Sequence, residues 1–245
     1  MKNVREMLRS RAYAFICERM MSGELVPGQK LSEQKLADAC GISRTPIHGA
    51  ILRLIEEGML YQLEKSGTYV TKFTRADILS AYDIREAIET HEIARVVPTL
   101  TDREKQNLKQ ECQSMHDSLV ALRKSEGQTS DLESAFLKHD MAFHRIFLDA
   151  AKNPLATKVV LAAYQRNRFF GLLRHQHTFR NIAWAWYHHE KIARAACRGD
   201  VEDAVHWMRA HIQRSRSDAL ARFNQATQRE RDHRRGLHLA PRTCG

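Results

Sequence analysis

No stretch of about 18 apolar residues runs anywhere in this chain, which excludes an ordinary transmembrane helix. Met1 to Arg11 is charged and amphipathic and lacks the apolar core of a secretory signal, so a cytoplasmic location is expected. Cysteine is sparse and odd in number, with five, at positions 17, 40, 112, 197 and 244, none in a C-x-x-C pair. A disulfide framework is thereby disfavoured, and free thiols in a reducing compartment are expected. Alternating strand patterns are absent beyond residue 74. An H-E-x-x-H helix and a Ser-His-Asp arrangement are absent too, and no side chain stands out as a general base. Enzymatic activity is therefore not expected.

What is present points to two domains. The 245 residues exceed the usual single domain of roughly 100–200. Hydrophobic residues make up 43%, enough for a packed core, and the net charge is +10. That charge is uneven: residues 1–75 carry a net +4, residues 222–245 another +4, and the long middle only +2. Basic ends suit a polyanionic partner such as DNA. Histidine runs the other way, with ten of the thirteen inside 76–221 and His48 alone in 1–75.

In the first 74 residues, Leu8, Ala12, Phe15, Ile16 and Met20 recur at helical spacing. Pro27-Gly28 marks a turn. Ser32 is placed to cap a short helix that buries Leu36 and Ala37, and Gly41 follows as a positive-φ turn. Ser43 is expected to cap the next helix, with Pro46 in its first turn. Ile47, Ala50, Ile51, Leu54 and Ile55 form its buried face, and Gly58 ends it. Two alternating segments, 59–64 and 68–72, flank Ser66-Gly67 as a hairpin. Helix, short helix, tight turn, helix and hairpin is the order of a winged helix-turn-helix. Such a unit presents the start of its second helix to base edges in the major groove, where Arg44 and Thr45 sit. Lys65 and Lys72 equip the hairpin to follow the DNA backbone or minor groove. A plain helical module without DNA binding is the alternative from pattern alone.

The runs Gly23-Glu24-Leu25-Val26-Pro27-Gly28, Gly41-Ile42-Ser43-Arg44-Thr45-Pro46-Ile47 and Leu54-Ile55-Glu56-Glu57-Gly58 resemble the GntR family of bacterial regulators. The resemblance covers residues 5–72 and implies DNA contacts by Gln34, Ser43, Arg44, Thr45, His48 and, at the wing tip, Gly67. Three positions depart from the family pattern. Gln34 stands where many members have Arg, and His48-Gly49 replaces the usual Arg-Glu, so His48 brings less charge and a different contact. Gly49 inside a helix costs about 1 kcal/mol relative to Ala.

From Thr74 onward the chain reads as helices: 77–95, 102–124, 134–151, 155–174, 182–198 and 201–223, with a loop at 125–130. Six helices in this span make an antiparallel bundle. Asp140 and His144 are four apart and share a helix face. His189 and His211 stand equally far from Gly199-Asp200, which reads as a helix stop followed by a cap, so they come level across a helical hairpin. An Asp and three His converging in a bundle suit a divalent ion such as Zn²⁺, Ni²⁺ or Mn²⁺. Spacing alone also admits satisfied core histidines. Arg85 either meets an anionic ligand or pairs with a Glu on the surface. Asn153 either caps a helix or touches a ligand. Residues 224–245, with Arg229, Arg231, Arg234, Arg235 and Arg242, are expected to be irregular, with a secondary DNA contact as the alternative.

Asp140-x-x-Phe143-His144 and the stretch from His189 to His211 resemble the FCD domain of the FadR subfamily of GntR regulators. That resemblance implies a mainly α fold: a winged helix-turn-helix over 1–74 and an all-helical metal- and effector-binding bundle over 75–223. It implies a metal held by Asp140, His144, His189 and His211, with a small carboxylate effector completing the coordination. It also implies a homodimer, with no membrane partner, on a near-palindromic double-stranded operator, associated with the nucleoid when bound. The reading is of a transcriptional repressor. An effector-independent architectural DNA-binding protein and a metal-dependent hydrolase fused to a DNA-binding module are its rivals.

Overall fold

The computed structural model of the chain describes residues 2–125, 130–172 and 178–238. The first part holds α1 (Lys2–Met21), α2 (Glu33–Cys40), α3 (Arg44–Glu56), β1 (Leu60–Leu63) and β2 (Gly67–Val70). Ala12, Ile16 and Met20 repeat every four residues along α1 and are fully buried, so one stripe of α1 faces inward. They meet Leu36 and Ala37 of α2 and Ile47, Ala50, Ile51 and Leu54 of α3 in one core. The Ser32 hydroxyl accepts from the Lys35 N–H at 3.3 Å to open α2. Gly41 closes it at φ 67°, a left-handed conformation that disfavours other residues.

Ser43 does not cap α3 as expected. Its backbone has cap geometry, but its side chain makes no capping bond. A capping hydroxyl takes the N–H of the second or third helical residue, and the third here is Pro46, which has none. The Ser43 side chain stays exposed.

β1 and β2 pair antiparallel with Leu60 opposite Val70 and Leu63 opposite Gly67. The segment before α2 adds a third, shorter edge: Gly28 N–H donates to the Val70 carbonyl at 2.8 Å, and Leu31 N–H to that of Thr68 at 2.8 Å. The wing is thus tied to the loop that leads into the helix-turn-helix. At its tip Gly67 adopts φ 123°, and a Cβ there would lie 2.8 Å from Lys30 Cε.

The second part is helical: α4 (Arg75–Val96), α5 (Asp102–Lys124), α6 (Ser130–Ala150), α7 (Pro154–Leu172), α8 (Phe179–Arg198) and α9 (Val201–His238). Thr101 and Glu104 form a reciprocal capping box at the start of α5. Gly199 at φ 74° ends α8, and the Asp200 carboxylate accepts from Asp203 N–H at 3.1 Å to start α9. This hairpin packs through Ala195, Ala196 and Ala204, all fully buried, which let the two helices approach closely. Phe136, Phe143 and Phe147 of α6 and Leu108 and Met115 of α5 fill the core beside it.

Among the described residues, three helix bounds depart from expectation by three residues or more. α6 begins at Ser130 rather than Ser134, and α8 at Phe179 rather than Ile182, where Thr178 accepts from Asn181 N–H. α9 does not stop at Phe223 but runs to His238, so the expected irregular tail is helical there. Gln225, Ala226, Gln228, Arg229 and Glu230 favour helix, and Gly236 alone costs only about 1 kcal/mol. The expected loop at 126–129, the helix end at Arg174, His175, His177 and the last residues, 239–245, lie outside the described residues.

The chain divides into two compact units. The first holds Met1–Asp77 and the stretch of α7 from Tyr164; the second holds Ile78–Ala163 and the chain from α8 on. The division falls inside α4. Among the described residues, no helix is long and apolar enough to cross a membrane.

Candidate metal centre and nucleic-acid interface

Four helices of the second unit aim polar side chains at one interior point. α6 contributes Asp140 and His144, α8 His189, α9 His211, and α4 the pair Arg85 and Glu89. His144, His189 and His211 are all at most 2% exposed. His144 Nε2 lies 3.1 Å from His189 Nε2 and 3.3 Å from His211 Nε2. His189 Nε2 lies 3.2 Å from Asp140 Oδ1. One donor atom from each of the four residues falls within 4.8 Å of the others.

The outer nitrogens fix how these rings present themselves. His189 Nδ1–H donates to the Ala185 carbonyl at 2.6 Å, which can only accept, so a neutral ring turns its Nε2 lone pair inward. His144 Nδ1 meets the Glu89 carboxylate, whose other oxygen accepts from Arg85 Nε at 2.7 Å. Burial by itself would raise the Glu89 carboxyl. The Arg85 guanidinium and His144 outweigh it and hold the group at about 2. Glu89 is thus an anion that requires a proton on His144 Nδ1. Burial, reinforced by neighbouring imidazoles, pushes His189 and His211 well below the usual imidazole value.

With Nδ1 of His144 and of His189 both turned outward, the Nε2 atoms of two neutral rings would present lone pairs to each other, an arrangement that a cation between them relieves. Two nitrogens held about 2.1 Å from one ion stand about 3.0–3.4 Å apart, for right-angled to tetrahedral geometry. The observed separations of 3.1 and 3.3 Å fall in that range. Three imidazoles and one carboxylate suit Zn²⁺, Ni²⁺ or Mn²⁺. His211 Nδ1 is buried and has no hydrogen-bond partner among the described residues.

The structure brings all four sequence-chosen ligands together and separates the two effector candidates from them in kind. Arg85 is buried rather than on the surface, and its partner is Glu89, itself bound to His144. Asn153 caps α7, accepting from Ala156 N–H at 3.1 Å, and donates to Glu92 at 3.0 Å. Sequence reasoning missed Glu89. Its one signal was the i, i+4 spacing from Arg85; the contact with His144 spans 55 residues.

In the first unit, Ser43, Arg44, Thr45 and His48 lie exposed at the start and along one face of α3. Gln34 is exposed on α2 and donates to Asp38 at 2.8 Å. Gly67 sits at the wing tip between Lys65, at φ 57°, and the overlying Lys30. Gly49 leaves room for Arg9 of α1, whose Nε lies 2.9 Å from where a Cβ would stand.

An exposed helix-turn-helix beside a small wing, with a separate helical unit enclosing a polar donor cluster, is the build of a DNA-binding regulator with a second, helical domain. Comparison with known proteins places it further. The profile of bacterial regulatory proteins of the gntR family matches residues 8–70, and that of the FCD domain matches residues 80–214. The chain belongs to the FCD-bearing branch of the gntR family of bacterial transcriptional regulators, a family of regulators rather than enzymes. It is 29% identical over 207 residues to an HTH-type transcriptional regulator in an unstable DNA locus of Streptomyces ambofaciens, covering 82% of this chain and 80% of that one. It is 28% identical over 132 residues to the HTH-type transcriptional repressor RspR of Escherichia coli, covering 54% of each. Among solved structures, Escherichia coli McbR/YncC shares the fold, with a TM-score of 0.69 at 16% identity over 88% of this chain and 98% of that one.

Proposed function

We propose that this regulator senses a small carboxylate at a divalent metal held by Asp140, His144, His189 and His211, and that the bound acid alters its affinity for operator DNA. The observation that carries the reading is the convergence of three buried Nε2 atoms at 3.1–3.3 Å with their outer nitrogens oriented by Ala185 and Glu89. A divalent ion with open positions offers a Lewis-acidic seat for a carboxylate. The chain's own side chains do the rest. Glu89 and the Ala185 carbonyl orient two rings, Phe143 packs edge-on against both at 5.8 and 4.7 Å and shields them, and Arg85 supports Glu89. Arg85 is thereby a positioning residue first, and Asn153 a helix cap first.

The DNA is read by Arg44, Thr45 and His48 in the major groove, with Gln34, Ser43 and the wing tip at Gly67 alongside. A homodimer fits a near-palindromic operator, because two-fold protein symmetry demands matching half-sites. Repression is the favoured direction, in keeping with the name of the Escherichia coli relative. The acid acts by binding better to one of two states that differ in operator affinity.

Thermal unfolding of metal-analysed protein across a panel of small carboxylates, with and without chelator, tests this. A ligand at 100 times its Kd adds about 2.7 kcal/mol of apparent stability. A shift with one class of acid that vanishes on chelation is expected. Metal-containing protein that responds to no acid removes the sensor role and leaves an effector-independent DNA-binding protein.

A further inference from the structure

Glu33, the first residue of α2, reaches across to the recognition helix. Its two carboxylate oxygens are divided between two side chains of α3: Oε1 lies 2.8 Å from His48 Nδ1, and Oε2 lies 3.4 Å from Arg44 Nη2. Arg44 and His48 are one turn apart on the exposed face, with side chains 63% and 57% exposed, while Glu33 is 28% exposed. Exposed polar contacts of this kind add little stability. Their consequence here is orientation.

We infer that Glu33 sets which base His48 reads. This rests on the placement of α3 in the major groove proposed above. A carboxylate oxygen only accepts, so the contact requires the proton on His48 Nδ1. In the neutral ring Nε2 is then a bare acceptor turned away from Glu33. In the major groove an acceptor is matched by the amino groups of adenine N6 and cytosine N4, and opposed by guanine O6 and N7 and thymine O4. An arginine at this position would have the reverse preference, being a donor throughout. Arg44, also a donor throughout, keeps the preference for guanine. Four helical residues rise about 6 Å, and successive base pairs are about 3.4 Å apart. Each half-site therefore carries a guanine read by Arg44 and, about two base pairs away, an adenine or cytosine read by His48. Glu33 is a positioning residue that touches neither base.

The test is selection from a library of randomised duplex DNA at pH 8. The full chain is compared with His48→Ala, Glu33→Ala, Glu33→Gln and Arg44→Ala, each first shown to melt as wild type does. Wild type should enrich adenine or cytosine about fivefold at one position per half-site, the size of one net hydrogen bond. His48→Ala and Glu33→Ala should flatten that position alone. Glu33→Gln, whose amide oxygen still accepts from Nδ1–H, should retain it, and Arg44→Ala should flatten a different position. Guanine or thymine enriched at the His48 position overturns the inference. So does a preference that survives His48→Ala, which would mean that Glu33 or a neighbour reads the base, or one that survives Glu33→Ala. In those cases a motif that still depends on Arg44 leaves the major-groove placement standing. Absence of any motif with wild type removes the placement itself.

Discussion

Acidifying the metal-free protein should destabilise the second unit in a window set by His189 and His211. Both are buried and held well below the ordinary imidazole value of 6.5 by desolvation and by neighbouring imidazoles. In the folded state they stay neutral, whereas in the unfolded chain they take up protons as pH falls through about 6.5. The unfolded state then binds more protons, so stability falls with falling pH. Below about pH 6.5 each group contributes about 1.4 kcal/mol per pH unit and above it almost nothing, so the two together cost about 3 kcal/mol between pH 8 and pH 5.5. That is a large part of the 5–15 kcal/mol typical of a domain. Glu89 acts in a separate window. Its folded value of about 2 lies under the ordinary 4.5, so its contribution is present above 4.5 and lost only as pH falls from there toward 2. The assay is urea unfolding of chelated protein followed by tryptophan fluorescence. All three tryptophans, Trp184, Trp186 and Trp207, lie in α8 and α9, so the signal reports on the second unit. A His189→Gln, His211→Gln double variant should lose most of the slope between pH 8 and 5.5. Equal slopes in wild type and double variant would refute the reasoning, because the burial of neutral imidazoles would then carry no linkage.

Three further outcomes follow from the same geometry. His144→Ala removes the imidazole that faces the other two and should deplete bound metal; full occupancy by elemental analysis would contradict the donor set. Arg44→Ala should weaken specific operator binding by about 1–3 kcal/mol and relax one base position, whereas an unchanged titration would argue against the groove placement. Gly49→Ala should raise the melting temperature followed by circular dichroism, because the helix gains up to about 1 kcal/mol and the exposed Arg9 side chain can swing aside. A lower melting temperature would show that Arg9 is held where it lies.

Much of this was legible in the sequence where the signal was local. The stripe Ile47, Ala50, Ile51 and Leu54 and the turn at Gly41 specify the helix-turn-helix, because periodicity and a positive φ are properties of a few neighbouring residues. The level placement of His189 and His211 follows from equal distance to the Gly199-Asp200 turn, and the rings stand 4.4 Å apart between centroids. Less local features escaped. Glu89 meets His144 across two helices, and nothing in either stretch marks the pairing. Arg85 read as exposed or ligand-facing, yet it is buried against Glu89, since an i, i+4 pair can lie on either side of a helix. Ser43 read as a side-chain cap, yet it makes no capping bond, and Pro46 removes one of the two N–H groups that such a cap can take. The tail read as irregular from its charge, while its residues individually favour helix and continue α9 to His238.

The most direct measurement is the affinity of metal-loaded protein for its selected operator, by fluorescence anisotropy, with and without the carboxylate found by thermal shift. Coupling between two sites typically changes affinity by about 5–150-fold. Wild type should shift within that range, and His189→Ala, which cannot hold the metal, should bind operator without responding to the acid. Identical affinities with and without the acid in wild type, or an equal shift in His189→Ala, would contradict control of DNA binding through this centre.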